Sequence, residues 1–508
     1  MVEGLLLGLQ TLFTLQNIAF LLLGCFAGTF IGMLPGLGPM TAIALMIPIA
    51  AALEPAAGIV MMAAVYYGAI FGGSTSSILI NAPGVASTVA TSFDGYPMAR
   101  AGRAGKALAI AAGASFWGGM IGAIALAVAA PYLATVSLSF QSTDYFALMV
   151  LGLATVAAFA GAGNMMKALS MAVLGLMLST VGTDPGQGVA RFTLGSLDLV
   201  DGISFLLLVM ATFALSEALL SIMRITSADE TQQIHDELGA LHVPPHEIKD
   251  MAAPATRSSL LGFVIGLLPG AGATIGSLLA YGAEQRLAPP DKAARFGKGS
   301  ARGLAAPEAA NNAAATGSFV PLLTLGIPGS GTTAILLGAL IAYGIQPGPL
   351  LYINEPEIFW SVIASMWIGN VVLLVLNLPL IPYIARILAV PRQFLLPLIL
   401  FLSLIGVYLV SFNTFDIQMM VLFAAAAVTF RLLDFPMAPM ILGFILGGMM
   451  EENLARAMLI YDQSWAFVWH RPLTGGILIL TLIVLLAPSL SRLVQLRRQG
   501  PRAKTPRT

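Results

Sequence analysis

Ile31-Gly-Met-Leu-Pro-Gly-Leu-Gly38 returns in the second half of the chain as Ile265-Gly-Leu-Leu-Pro-Gly-Ala-Gly272. Pro removes a backbone donor and Gly admits left-handed backbone, so each phrase breaks any helix that runs into it. Each copy leads through an apolar segment and a stretch rich in small residues to a second break. The first of these is Ile80-Asn-Ala-Pro-Gly84 and the second Gly326-Ile-Pro-Gly-Ser330. A solenoid would repeat every ~20–50 residues. A single repetition at this distance reads as a duplicated half-chain.

The breaks interrupt charge-free runs at 4–53, 55–93, 107–143 and 309–354. A membrane crossing takes ~20 apolar residues, so these runs and the apolar stretches between them predict about 11 or 12 crossings. The chain has 508 residues, of which 58% are hydrophobic and 9% charged. Soluble domains carry roughly 25% charged residues, which excludes an ordinary soluble enzyme. Lys plus Arg equals Asp plus Glu at 24 each. That balance removes the case for a nucleic-acid partner.

The expected fold is therefore an all-α polytopic membrane protein with inverted repeats and discontinuous, re-entrant helices embedded in the lipid bilayer. Its expected parts are a first membrane half (1–223), a polar connecting loop (224–257), a second half (258–491) and a basic tail (492–508). The start, Met-Val-Glu-Gly, lacks a basic n-region, so no cleaved signal peptide is expected. The single cysteine, Cys25, reads as a packing residue.

The loop charges orient the halves. Between its two breaks the first half carries one charge, Glu54, whereas the second carries the basics Arg286, Lys292, Arg295, Lys298 and Arg302. Beyond the second break the signs exchange. The first half continues with Arg100, Arg103 and Lys106, and the second with Glu355 and Glu357. Cytoplasmic loops collect Lys and Arg. Equivalent loops then face opposite sides, which is the mark of an inverted repeat. The tail, with Arg492, Arg497, Arg498, Arg502, Lys504 and Arg507, is placed in the cytoplasm.

In hydrocarbon an open backbone is tolerated only where protein buries it or it lines a cavity. Half-helix N-termini attract anions and freed carbonyls hold cations. Four breaks in related places therefore predict a site for a carboxylate and sodium, although a lone Pro-Gly would read as a kink. The polar residues around the breaks agree, and Ser and Thr in membrane helices can also serve as packing glue. Expected substrate contacts are Asn81, Pro83, Gly84, Ser87 and Thr88 at the first tip, with Pro328, Gly329, Ser330, Gly331 and Thr332 at the second. Expected sodium positions are Gly36, Gly38, Gly270 and Gly272, with Asn311 and Asn312.

Glu308, after Pro307, reads either as a cation or proton site or as a charge at a helix N-terminus. Glu217, near the end of its span, reads as interfacial, and Lys167 as a snorkelling lysine. No nucleotide loop, HExxH or nucleophile elbow is present. His242 and His246 have metal-like spacing, but Pro244-Pro245 denies them a shared helix; they and His235 read as a solvated loop. An enzyme using Glu308 or Asp416, or a passive channel, are the competing classes; the enzyme lacks a recognisable paired group, and accumulation that depends on a sodium gradient would exclude the channel. No catalytic residue and no organic cofactor is expected.

The motifs together resemble the large membrane subunit of the tripartite tricarboxylate transporter family. The likeness rests on Gly-Met-Leu-Pro-Gly-Leu-Gly at 32–38, Tyr-Gly-Ala-Ile-Phe-Gly-Gly-Ser at 67–74, Asn-Ala-Pro-Gly at 81–84 and Asp-Gly-Tyr-Pro-Met-Ala at 94–99. It continues with Leu-Leu-Pro-Gly-Ala-Gly at 267–272, Phe-Gly-Lys-Gly at 296–299, Ala-Pro-Glu-Ala-Ala-Asn-Asn-Ala at 306–313 and Leu-Gly-Ile-Pro-Gly-Ser at 325–330. Pro436-Met-Ala-Pro-Met-Ile-Leu-Gly-Phe-Ile-Leu-Gly447, with Glu451 and Glu452, completes it. The resemblance implies a secondary transporter importing tricarboxylates or dicarboxylates across the bacterial inner membrane, coupled to sodium. It also implies two partners, a small membrane subunit and a periplasmic solute-binding protein.

Overall fold

The structure, a computed structural model, describes residues 1–159, 164–184, 186–223, 239–270, 272–384 and 392–498. The helices around the central cavity, in chain order, are α1 (Leu15–Met33), α2 (Gly38–Ala51), α3 (Pro55–Ile80), α4 (Val89–Arg100), α5 (Ala104–Ser137) and α6 (Phe205–Met223). They continue with α7 (Pro245–Gly266), α8 (Gly272–Leu287), α9 (Ala301–Gly317), α10 (Gly331–Ala342), α11 (Pro356–Asn377) and α12 (Thr414–Leu432). The protein is an all-α polytopic membrane protein. Among the described residues the only sheet pairs Gly182–Thr183 with Ala190–Arg191. Among the described residues six helices, α1, α3, α5, α6, α11 and α12, are long and apolar enough to cross a membrane, and seven apolar helices of 10–17 residues accompany them. The short ones include α2 and α10, which begin at the breaks.

Glycine spacing sets how the helices meet. On α1, Gly24, Gly28 and Gly32 lie one turn apart, and a Cβ on each would strike the backbone carbonyls of Met61, Val65 and Ala69 on α3. On α7, Gly262 and Gly266 lie in the same relation to Ala310 and Ala314 on α9. The reciprocal contacts also repeat: Gly72 abuts the Thr29 carbonyl, and Gly317 abuts that of Phe263. Small residues in this spacing let helix backbones touch, which supplies dispersion attraction where lipid removes the hydrophobic drive. Each half thus holds one close-packed helix pair in the same register.

Two expectations about polar segments change. The connecting loop does not extend to residue 257: α7 begins at Pro245, with Pro at its first position and Glu247 in its first turn. Pro is favoured there because the missing N–H has no helical partner anyway. His242 and His246 are exposed, and His235, with residues 224–238, lies outside the described residues. Likewise Glu308 does not begin a helix. Ser300 caps α9, its side chain accepting from the Gly303 N–H, so Pro307 and Glu308 lie within the helix. The tail from residue 499 onward lies outside the described residues.

The loops that carry basic residues meet. The buried Asp94 carboxylate on α4 accepts from the N–H groups of Gly299 and Ser300 at 2.9 and 2.6 Å, and from the Tyr281 hydroxyl at 3.0 Å. Lys106 pairs with Glu247 at 2.6 Å, and Asp250 pairs with Arg302 and Lys292. Arg103 and Arg295 line the same cleft.

Candidate functional site

All four breaks converge on one cavity of about 590 Å³. The start of α2 contributes Gly36 to Thr41, and the start of α8 contributes Gly270, Gly272, Ala273 and Thr274. The start of α10 contributes Ser330, Gly331 and Thr332. The fourth wall is Pro83 to Ser87, leading through a single 3₁₀ turn (Ala86–Thr88) into α4.

The local sequence dictates these turns. Gly36 and Gly38 take φ values of 91° and 62°, and their counterparts Gly270 and Gly272 take 78° and 58°. Such backbone is strained for a residue with a Cβ. The helix before each tip ends in the same way, at Asn81 with φ 52° and at Gly326 with φ 68°, two residues ahead of the Pro. Asn is among the few side-chain-bearing residues that tolerate this region. The second-half breaks are also tied to each other, since the Gly270 N–H donates to the Gly329 carbonyl at 3.0 Å.

Three helix N-termini therefore face one space, each with the equivalent of about half a positive charge. Such an arrangement favours an anion. At α10 the N–H groups are partly used. Ser330 and Thr333 form a capping box, Ser330 Oγ accepting from the Thr333 N–H at 3.2 Å and Thr333 Oγ1 from the Ser330 N–H at 2.8 Å. Tyr66 Oη lies 3.4 Å from Ser330 Oγ. Ser87 differs: its buried Oγ has no hydrogen-bond partner among the described residues.

The cavity also holds an ion pair that the sequence reading did not assemble. Arg431, on α12, pairs through Nη1 with Glu217 Oε2 and donates from Nη2 to the Thr212 carbonyl at 2.9 Å. Phe213 stacks beneath the guanidinium, its centroid 5.8 Å away. Residues Met210–Leu215 form a π-helical stretch within α6. Such a stretch releases carbonyls from the helical ladder; here Thr212 serves Arg431, and the Phe213 carbonyl accepts from Thr41 Oγ1 at 3.1 Å. Glu217 is therefore part of the site rather than an interfacial residue. The available signal was a second intramembrane charge of opposite sign, Arg431, in another apolar run.

Of the expected substrate contacts, Pro83, Gly84, Ser87, Ser330, Gly331 and Thr332 line the cavity. Asn81, Thr88, Pro328 and Gly329 do not line it; Asn81 is exposed and the other three are buried. Thr88 Oγ1 donates toward the Val85 and Gly73 carbonyls at 2.9 and 3.1 Å and accepts from Ser77 Oγ at 2.7 Å, which braces the tip. Of the expected sodium positions, all four glycines line it. Asn311 and Asn312 do not; Asn312 Nδ2 donates to Asn311 Oδ1 at 2.7 Å and to the Glu308 carbonyl at 3.1 Å. Among the described residues no three His, Cys, Asp or Glu side chains gather as a metal-ligand set.

The family model described as "Tripartite tricarboxylate transporter TctA family" matches residues 18–442, which includes every element of the cavity. The chain belongs to that family. Its relatives include an "Uncharacterized 52.8 kDa protein in TAR-I ttuC' 3'region" of Agrobacterium vitis, 40% identical over 498 residues, covering 96% of this chain and 97% of that protein. Another, an "Uncharacterized protein in TAR-II ttuC' 3'region" of the same organism, is 40% identical over 232 residues, covering 45% of this chain and 95% of that protein. No solved structure matches the chain. Family membership makes the chain the large membrane subunit of a tricarboxylate transporter, and places it with transporters rather than enzymes.

Proposed function

We propose that this subunit imports a tricarboxylate or dicarboxylate by alternating access, with the anion held in the cavity between the Pro83 and Pro328 tips. The observation that carries the proposal is the convergence of the α2, α8 and α10 N-termini on one polar space. Ser87 Oγ and Thr332 are its hydroxyl contacts, and the backbone of Gly84 and Gly331 approaches the substrate closely. Arg431 supplies a fixed cation whose charge Glu217 balances while the site is empty. Sodium is assigned to the glycine turns Gly36–Gly38 and Gly270–Gly272, where backbone replaces the hydration shell. Asn311 and Asn312 are left out of that set because they bond one another outside the cavity.

The two halves act as an inverted repeat in the bacterial inner membrane, C-terminus in the cytoplasm. Two observations support this. The glycine contacts repeat in one register, and the two basic loops, from non-equivalent places in the halves, lie against each other around Asp94 and Asp250. A small membrane subunit and a periplasmic solute-binding protein complete the transporter. Uptake of radiolabelled citrate and smaller dicarboxylates by proteoliposomes containing the three-component system tests the proposal. Accumulation that requires both the binding protein and an inward sodium gradient is expected. Equilibration without accumulation would make the protein a passive channel and overturn it.

A further inference from the structure

Glu308 lies outside the cavity, in the middle of α9, and is fully buried. Three hydroxyls from three other helices donate to its carboxylate. Ser74 of α3 and Ser115 of α5 reach Oε2 at 2.7 Å each, and Thr91 of α4 reaches Oε1. Several buried hydroxyls elsewhere in the molecule bond on their own helix, one turn back. Thr212 bonds the Leu208 carbonyl, Ser259 that of Ala255, Thr324 that of Val320 and Ser403 that of Ile399. The three around Glu308 forgo that local bond and turn to a carboxyl contributed by the other half of the chain. The amide Nδ2 of Asn311, one turn along α9, is buried beside the same carboxylate and has no other partner among the described residues.

Among the described residues no cation pairs with this carboxylate. The charged groups on the helices packed against α9 are engaged elsewhere: Asp94 with Tyr281 and the Ser300 N–H, Lys106 with Glu247, Arg257 with Glu284, and Asp250 with Arg302. Tyr66 and Tyr67 of α3 face Ser330 and Ser365. Arg100, His246, Lys249 and Arg286 are exposed at the helix ends. A buried carboxylate without a counter-ion is costly, and the ordinary relief is to bind a proton. The 2.7 Å oxygen separations are hydrogen-bond spacings, which suit a proton rather than a metal ion.

Thr91 gives this carboxyl a route to the cavity. It lies in the first turn of α4, one turn beyond Ser87, whose partnerless hydroxyl lines the substrate space. The segment from Ser87 to Thr91 thus touches the cavity at one end and Glu308 at the other. We propose that Glu308 is a proton-carrying carboxyl whose protonation is linked, through this segment, to occupation of the cavity. Ionised, it accepts all three hydroxyl bonds and holds the tip; protonated, it becomes a donor itself and one hydroxyl must reverse. One proton is taken from water on one side and released on the other, and no bond to carbon forms or breaks. The inference rests on the transporter reading for its consequence but not for its test.

The test is an infrared titration of the full chain in lipid nanodiscs from about pH 5 to about pH 9, the range in which buried carboxyls titrate. A carbonyl band of a protonated carboxylic acid is expected on acidification, absent from Glu308→Gln and indifferent to sodium chloride at fixed pH. Thr91→Val and Ser115→Ala each remove a donor to the anion, worth about 1 kcal/mol, and move the band's midpoint to higher pH by somewhat under one unit. These two variants keep the test open if Glu308→Gln fails to fold. A band that Glu308→Gln retains, a midpoint that neither hydroxyl variant moves, or a carboxylate response driven by sodium alone would overturn the proposal. Failure of citrate uptake by the wild-type complex would instead count against the transporter reading, which the titration does not use.

Discussion

The two Pro-Gly tips share a backbone and differ in how they spend their polar groups. Both leave a helix through a left-handed residue, Asn81 or Gly326, and both turn at Pro-Gly against a close helix neighbour. The second tip closes on itself: Ser330 and Thr333 cap α10, and Ser330 also meets Tyr66. The first has Val85 where the second has Ser330, begins α4 without a side-chain cap, and leaves Ser87 Oγ without a partner. In the same frame Ala63 stands where the second half has Glu308. The repeated motif accounts for the common scaffold, and on the proposed reading the differences mark where an anion and a proton are handled. The second tip is a preformed wall; the first carries the adaptable contact.

The largest expected effect concerns the charge that neither tip supplies. Arg431→Gln strands Glu217 in the cavity, and for a half-buried pair that loss lies between the surface and the buried cases, about 1–3 kcal/mol. Thermal unfolding in detergent should show that loss. The double variant Arg431→Gln/Glu217→Gln should regain most of the stability while substrate binding stays lost. Equal binding by the double variant and the wild type would leave the anion to the tips alone.

Next come the tip glycines. A Cβ at Gly84 would strike the Gly32 carbonyl, and one at Gly329 would lie 2.8 Å from Ser318 Cα. Gly84→Ala and Gly329→Ala should each cost about 1–3 kcal/mol, because backbone on the far side cannot yield. Uptake should fall for both. If only one substitution is harmful, the tips are not equivalent scaffolds.

Ser87→Ala and Ser330→Ala separate contact from support. Ser87→Ala should leave the unfolding temperature unchanged and raise the KM for uptake about fivefold, the loss of one hydrogen bond of about 1 kcal/mol. Ser330→Ala should lower both stability and affinity, because its hydroxyl is also a helix cap worth about 1 kcal/mol. Identical behaviour of the two variants would erase the contrast.

The smallest effect lies on the basic face. Hydrogen bonding by Arg302, assisted by Lys292, holds the Asp250 carboxyl down at about 2. An unperturbed Asp titrates near 3.9, so this contact stabilises the fold above that pH and is lost as pH falls toward about 2. Circular dichroism should show Asp250→Asn less stable than wild type at neutral pH and equal to it near pH 2.

The helix breaks and the membrane class were legible in the sequence because Pro-Gly within an apolar run has few physical meanings. Six of the ten expected substrate positions and four of the six expected sodium positions line the cavity. The others were near in sequence but face away: Thr88 turns to the Gly73 carbonyl, and Asn311 and Asn312 lie on a helix surface one layer back. The two charges Glu217 and Arg431 were visible in the sequence, but not that they meet. They are far apart in the chain, and a change of helical geometry within α6, for which Met-Ala-Thr-Phe-Ala-Leu gives no cue, frees the Thr212 carbonyl that also holds Arg431. The extent of α9 was also misread. A Pro inside a helix ordinarily marks a start, but here Ser300 supplies an earlier cap and the neighbouring helices bury the strain.

That π-helical stretch has one more consequence. It gives α6 roughly one residue more than a regular helix needs to cover the same rise. Each residue of an α-helix turns the chain by about 100°. The surplus is absorbed within that turn, so the residues after Leu215 keep the phase of a regular helix. Deleting a single residue between Met210 and Leu215 would let the turn close as α-helix and withdraw the carbonyls of Thr212 and Phe213 from Arg431 and Thr41 while leaving Glu217 on the same face. The polarity of the cavity depends on a count of residues as well as on their kinds.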